Sequence, residues 1–124
     1  MRIFKNNHFN KWACDIGLDD TVLKTAIDEI SAGLYEANLG GFLFKKRIGL
    51  KGRGKSGGVR TIVVFKKEYK AFFIYGFAKN KKANIDEAEE KICKKLAALF
   101  LSYSDYAIGI AIKKKELIEV HYER

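Results

Sequence analysis

The stretch that decides the fold is Val59–Phe65, with the sequence VRTIVVF, together with Ala71–Phe77, with the sequence AFFIYGF. Both runs are rich in the β-branched and aromatic residues that are enriched in strands. The five residues between them, 66–70, have the sequence KKEYK and are long enough for a hairpin connection. The sequence therefore predicts two adjacent antiparallel strands at the centre of the chain.

On the N-terminal side, Phe42–Phe44 predicts a further strand, which ends in three bases and completes a three-stranded meander. The loop of residues 37–41 precedes it. Before that loop, Asp19 or Asp20 is expected to cap a helix that runs to about Gly33. Residues 1–11 alternate only weakly and predict an extended arm that docks on the body of the protein.

On the C-terminal side, Asn84 and Glu87 have the three-residue spacing of a capping box, which predicts a helix that begins after Asn84. A shorter helix is expected from Ser104 to about Lys114, and residues 117–120 predict a terminal strand. This order of elements predicts a single α+β domain over residues 1–124, with a small antiparallel β-sheet packed against helices on one side.

Residues 43–82 hold the positive charge of the chain. They contain thirteen lysines and arginines and one acid, Glu68, a net charge of +12, whereas the whole chain has a net charge of +9. The remaining residues are net acidic, so the excess is local. A local cationic field among glycines and strand ends is typical of a surface that binds a polyanion. A solvated basic surface with no specific role is the alternative interpretation.

Other classes of protein are disfavoured. The two cysteines, Cys14 and Cys93, have no CxxC or Cys/His spacing, so the sequence predicts reduced thiols, no metal site and no cofactor. No apolar run approaches the roughly twenty residues of a membrane span, and the first residues lack the apolar core of a signal peptide. The sequence therefore predicts a cytoplasmic protein without a membrane partner.

Residues 49–56, GLKGRGKS, match the phosphate-binding P-loop pattern GxxxxGK[ST]. A functional P-loop requires a helix that begins at its Lys-Ser pair, because the helix N-terminus helps to bind the phosphates. Here a predicted strand follows from Val59 instead. The match therefore predicts a mobile or tightly turned basic loop, and nucleoside triphosphate binding is disfavoured.

Several motifs together resemble the RelE-like, HigB-type toxins of type II toxin–antitoxin systems. The most specific are GKSGGVR at residues 54–60 and FFIYGFAKN at residues 72–80. Further matching pieces lie in register along nearly the whole chain, at residues 12–18, 39–41, 44–47, 84–85 and 116–120. The resemblance implies a RelE-like fold, a small antiparallel sheet flanked by helices.

The resemblance also implies an activity. Toxins of this family are mRNA interferases, endoribonucleases that cleave mRNA, usually in the ribosomal A site, and so inhibit translation. A helix-turn-helix antitoxin from the same operon is the implied protein partner. The implied chemistry is metal-independent, because the ribose 2′-hydroxyl attacks its own phosphate. Such a reaction needs a proton acceptor, cations for the developing charge and assistance for the leaving 5′ oxygen.

The catalytic candidates are cationic, since both histidines, His8 and His121, lie outside the basic stretch and are interpreted as structural or surface residues. By motif match, Arg60 is the predicted phosphate clamp, and Lys79 at the end of the next strand is expected near it. Lys55 is the third candidate, because a lysine among many cations can have its pKa lowered, whereas arginine stays charged. The predicted RNA-binding residues are Lys45, Lys46, Arg47, Lys51, Arg53, Lys81, Lys82 and Phe77.

Two points stay open. Tyr75 or Phe77 is a candidate for stacking on a base, although strand alternation places at least one of them in the core. The main alternative function is a non-catalytic RNA- or ribosome-binding module, because the residues alone demonstrate no catalytic group. A DNA-binding regulator is weaker, since no predicted helix carries a strongly basic face for a major groove.

Overall fold

The computed structural model describes residues 1–50, 54–78, 82 and 84–122, and for residues 54–57 it describes the backbone only. In chain order the elements are β1 (Arg2–Asn6), α1 (Asn7–Ile16), α2 (Asp20–Ser31), β2 (Ala37–Gly40), β3 (Leu43–Leu50), β4 (Gly54–Lys66), β5 (Lys70–Ala78), α3 (Glu87–Ser102), α4 (Asp105–Lys113) and β6 (Leu117–Glu119). The strands form one sheet in the order β2-β3-β4-β5-β1-β6.

The predicted central meander is confirmed. β3, β4 and β5 are successive antiparallel neighbours, and the β4–β5 hairpin closes between Lys66 and Lys70. β4 is longer than predicted, because it begins at Gly54. The residues that follow the P-loop-like match therefore continue as a strand, as expected, and residues 51–53 of that match lie outside the described residues.

The prediction of an N-terminal arm is wrong. β1 lies inside the sheet, parallel to β5 and antiparallel to β6, with Ile3 opposite Ala71 and Phe4 opposite Phe72. Ile3 and Phe4 are consecutive and both are buried, because helices cover both faces of the sheet here. A strand that is buried on both faces has no polar alternation by which the sequence reveals it.

Helices cover both faces, so the predicted packing on one side only is also wrong. Phe9 of α1 and Leu23 of α2 belong to one core cluster, whereas Ile108 of α4 and Cys93 of α3 belong to the other. The consecutive residues 63–65 of β4 are all buried, although alternate side chains point to opposite faces. The apolar content of β4 and β5 is therefore sufficient for two cores.

Residues 37–41 were expected to form a loop, but Ala37–Gly40 is the edge strand β2, paired antiparallel with β3. Asn38, Gly40 and the adjoining Gly41 are weak strand formers, and both glycines have positive φ angles. The sequence therefore did not indicate a strand here. The pairing extends one residue further toward the N-terminus, since the Glu36 N–H donates to the Lys45 carbonyl over 2.9 Å. β2 thereby brings Glu36 next to the basic strand β3.

The predicted capping box at the start of α3 is displaced by two residues. Asp86 is the N-cap: its carboxylate accepts from the Glu89 N–H over 2.8 Å, and the Glu89 carboxylate accepts from the Asp86 N–H over 2.9 Å. The Asn84 side chain instead accepts from the Ile85 N–H. Both pairs have the same spacing, so the pattern alone does not select between them.

The other expected elements are confirmed. Asp19 caps α2 through the Val22 N–H, Ser104 caps α4 through the Ala107 N–H, and the chain reaches its last strand, β6, at Leu117. The fold is α+β with a mostly antiparallel sheet. In the described part of the chain no single helix has the length and hydropathy to span a membrane; α3 and α4 reach them only when counted together, and they are bent by 116° at the break between them.

Candidate functional site

The register of β3, β4 and β5 brings two arginines and an aromatic residue into one row. Arg47 lies opposite Arg60, and Arg60 lies opposite Phe77. Residues that are directly opposed in antiparallel strands lie on the same face. By alternation along β4 this face is that of Ile62 and Val64, which belong to the core beneath α3 and α4. Two of the predicted cationic residues are thus cross-strand neighbours.

Glu36 bridges these two arginines. Its Oε1 lies 2.9 Å from Arg60 Nε, and its Oε2 lies 3.6 Å from Arg47 Nη2. Arg60 is only 4 % exposed, and its buried Nη1 has no hydrogen-bond partner among the described residues. An unpaired buried charged donor destabilises a fold, and phosphate oxygens are acceptors that fit a guanidinium fork. Arg60 therefore has a buried donor that no described residue satisfies.

Two predicted RNA-binding residues have structural contacts instead. Lys46 is buried, and its ammonium lies 3.0 Å from the Glu29 carboxylate and 2.9 Å from the Leu34 carbonyl, which ties β3 to the end of α2. Phe77 is 6 % exposed and belongs to the core beneath α3. The structure does not present Phe77 as an open stacking surface. Lys45 is partly exposed and lies opposite Ile62, one step from the arginine row.

Several candidates cannot be placed relative to this row. The residues Lys51, Arg53, Lys79 and Lys81 lie outside the described residues, as does the side chain of Lys55. Across the described ranges, no group of three or more His, Cys, Asp or Glu side chains is arranged to hold a metal ion.

A bulge in β5 turns Tyr75 toward α3. Ile62 pairs with Tyr75 and Val63 pairs with Phe73, which leaves Ile74 without an opposite residue on β4. Ile74 and Tyr75 therefore both pack on the core beneath α3. Bulges re-aim side chains in this way and are common beside functional sites. The sequence pattern of β5 contains no signal that distinguishes this bulge from regular alternation.

Tyr75 and Lys82 are both held by Glu89. The Tyr75 hydroxyl donates to Glu89 Oε2 over 2.8 Å, and the Lys82 ammonium donates to Glu89 Oε1. The Lys82 hydrogen bond, followed by those of the Asp86 N–H and the Tyr75 hydroxyl, lowers the pKa of Glu89 to about 2. Burial and the hydrogen bond to Glu89 raise the pKa of Tyr75, so its hydroxyl stays protonated near neutral pH.

His8 adds an aromatic ring to this cluster. Its imidazole stacks on the Tyr75 ring with 5.8 Å between ring centroids and 15° between planes. His8 is exposed, as expected of a surface residue, but it adjoins the cluster rather than lying apart from it. Sequence reasoning missed Glu36, Glu89 and His8 as members of the site. Only Glu89 had a usable signal, the three-residue spacing to Asp86.

Glu89→Gln is expected to remove a stabilising contribution that depends on pH. Because folding lowers the pKa of Glu89 to about 2, its contribution is complete above the unfolded-state pKa of about 4.3 and is lost as the pH falls toward 2. Urea unfolding from neutral to acidic pH measures this. The difference in unfolding free energy between wild type and variant should be constant near neutral pH and shrink below about pH 4.5.

Glutamine can still complete the capping box, so the start of α3 is retained in this variant. Glu87→Gln, an exposed carboxylate in the first turn of the same helix, is the matched control for the loss of one charge. If the difference in unfolding free energy between wild type and Glu89→Gln stayed the same down to the lowest pH, the prediction would be contradicted.

Two comparisons with known proteins bear on identity. A search of curated proteins finds no match to the chain. The family model described as "RelE toxin of RelE / RelB toxin-antitoxin system" matches residues 1–120, which include the arginine row and Glu89. A match over nearly the whole length, on an α+β fold of the expected kind, shows that the chain belongs to the RelE toxin family of toxin–antitoxin systems, in which a toxin is paired with an antitoxin.

Proposed function

We propose that this toxin is a HigB-type mRNA interferase, an endoribonuclease that cleaves mRNA on the ribosome without a metal ion and so inhibits translation. A helix-turn-helix antitoxin is its proposed inhibitor, and the cytoplasm is its proposed place of action. The observation that carries the proposal is the arginine row: a buried guanidinium with an unpaired donor, Arg60, lies beside the more exposed Arg47 in a segment of high positive charge.

The proposed reaction begins with attack of the ribose 2′ oxygen on the adjacent phosphorus. The P–O5′ bond then breaks, which yields a 2′,3′-cyclic phosphate on one fragment and a 5′-hydroxyl on the other. The pentacoordinate transition state carries extra negative charge on its phosphoryl oxygens. Fixed donors that are aimed at developing charge are usually the largest single contribution to catalysis. Arg60 and Arg47 supply such donors, and Glu36 holds both guanidiniums in place.

Proton transfer requires another group. Arginine is always charged and cannot accept the 2′ proton. Lys82 is also unsuitable as a base, because its hydrogen bond to Glu89 raises its pKa and keeps it as an ammonium ion. We therefore assign Lys82 to phosphate binding, and we keep Lys55 and Lys79 as the proposed proton-transfer residues, on the motif match.

End-group analysis tests this function. Purified toxin acting on ribosomes programmed with a labelled mRNA is expected to produce fragments that end in a 2′,3′-cyclic phosphate and begin with a 5′-hydroxyl. A chelator concentration that leaves the ribosomes intact should not change the rate of cleavage. Arg60→Ala toxin prepared in the same way controls for contaminating nucleases.

Products with a 3′-hydroxyl would refute the mechanism. Inhibition of translation without any cleavage would instead support a non-catalytic, ribosome-binding protein.

A further inference from the structure

A groove of about 310 Å³ lies between the start of α1, strand β5 and helix α3. Its floor and walls include Ile74, Leu96 and the exposed Ile92, and its rim includes His8, Tyr75 and Glu89. Tyr75 belongs both to this groove and to the sheet face of the arginine row, because Ile62, its partner on β4, is two residues from Arg60. Tyr75 therefore links the groove to the sheet face that carries the arginine row.

His8 and Tyr75 form part of the wall of the groove. Together with the buried Phe77 they make a row of three neighbouring aromatic rings, called here the aromatic ladder. The exposed His8 ring stacks nearly parallel on Tyr75, and the Tyr75 ring in turn lies 5.9 Å from the buried Phe77 ring. Proteins bind unpaired RNA bases on exposed aromatic rings of this kind, because every base offers a flat face for stacking. Phe77, one of the two residues expected as candidates for stacking on a base, is buried and packs against Tyr75.

The exposed His8 and the partly buried Tyr75 are both held in position. The Asn6 side chain caps α1 by accepting from the Phe9 N–H over 2.8 Å, and it donates to the Ile74 carbonyl over 3.1 Å. This pair of bonds fixes the first turn of α1, and so His8, on β5. Tyr75 is fixed from the other side through its hydroxyl and Glu89. A platform whose parts are locked by surrounding contacts loses little freedom when a ligand binds.

The rim favours a nucleotide over an apolar partner helix. Lys82 lies 5.8 Å from the Tyr75 ring centroid and is about one third exposed, so its ammonium is placed beside the ladder for the phosphate of a stacked nucleotide. The volume is at the lower limit of small-molecule sites, roughly 300 Å³, which suits one planar ring system.

We propose that this groove is a nucleobase subsite, in which one unstacked base of the RNA substrate stacks on the His8 ring. The inference rests on the proposed function and deepens it, since it assigns a base-reading position in addition to the proposed phosphate contacts of the arginine row. Asn6 and Glu89 are positioning residues in this site, because they act through His8 and Tyr75.

The test is a binding experiment with non-cleavable 2′-O-methyl mRNA on ribosomes, in which one position at a time lacks its base. For wild type, removal of the base at one position should weaken toxin binding about tenfold, as expected for the loss of one base–aromatic stack. His8→Ala should weaken binding of the intact RNA to a similar extent and should abolish the penalty for the missing base. His8→Phe keeps a flat ring, so this variant should retain both the wild-type binding of the intact RNA and the penalty for the missing base.

Tyr106→Ala is the matched control, since Tyr106 is an aromatic residue of α4 that is 79 % exposed and lies outside the groove. If the missing-base penalty is the same in His8→Ala as in wild type, the base binds elsewhere and the subsite is refuted, while the proposed function stands. If wild type binds no RNA on the ribosome, the subsite and the proposed function are both refuted. If His8→Ala weakens binding of the cognate antitoxin and leaves RNA binding unchanged, the groove is a protein-docking site and the inference is wrong.

Discussion

Arg60→Ala is expected to lower the rate of mRNA cleavage by about 10²- to 10³-fold and to abolish growth inhibition on expression, the effect typical of removing a fixed donor to developing charge. Arg60 is the one arginine of the row that is fully enclosed, and its Nη1 lacks a partner among the described residues. Because the side chain of Arg60 is buried, its charge would interact more strongly with a phosphoryl oxygen than the charge of an exposed lysine would.

The alanine variant also leaves the partly buried Glu36 with only its longer contact to Arg47, so stability must be measured together with activity. Arg60→Lys separates the two effects. Lysine keeps a positive charge near Glu36 but offers a point charge in place of a two-pronged fork, so this variant should fold and still lose most of its activity. Lys67→Ala, in the exposed hairpin turn at the far end of β4, is the control for loss of one base. Cleavage by Arg60→Lys at the wild-type rate would show that the guanidinium is not required.

The centre of the fold could be predicted because its signals are local. The hairpin of β4 and β5 depends on two apolar strands and a short turn, all within about twenty residues, and its antiparallel register then places Arg47, Arg60 and Phe77 in one row. The place of β1 in the sheet could not be predicted in this way. β1 pairs with β5, which is more than sixty residues away in the chain, and a parallel pairing of that kind leaves no turn motif in the sequence.

The acidic and aromatic residues of the site could not be predicted from the sequence, for a related reason. Glu36, Glu89 and His8 come from three separate elements, and only tertiary packing brings them to the basic strands. Neighbouring residues of one strand also separate: Lys46 binds α2 on one face while Arg47 joins the row on the other. A run of three bases therefore does not form one patch, because successive side chains in a strand point to opposite faces.

Gly76→Ala is expected to destabilise the protein by about 3 kcal/mol, the upper part of the usual range for overpacking a core. Gly76 lies opposite Thr61, on the face of β5 that is covered by α1. A Cβ atom there would overlap the six-membered ring of Trp12, with three ring atoms within 2.5 Å, closer than real Cβ contacts. Trp12 cannot easily retreat, because its ring also packs on the buried Phe9 at 5.4 Å between centroids. Urea unfolding of the variant and wild type measures the loss.

Gly109→Ala is the matched control, since Gly109 lies within α4 and a Cβ atom there meets nothing within 4 Å. That change should be neutral or stabilising by up to about 1 kcal/mol, because alanine has the higher helix propensity. A double-mutant cycle with Trp12→Ala identifies the cause: if the clash with the indole ring is responsible, Gly76→Ala should cost much less when Trp12 is already alanine. An equal cost in both backgrounds would place the strain in the strand backbone of β5. Because Gly76 separates Tyr75 from Phe77, any shift of β5 that relieves the clash also displaces the aromatic ladder, so the variant should lose RNA cleavage even at temperatures at which it remains folded.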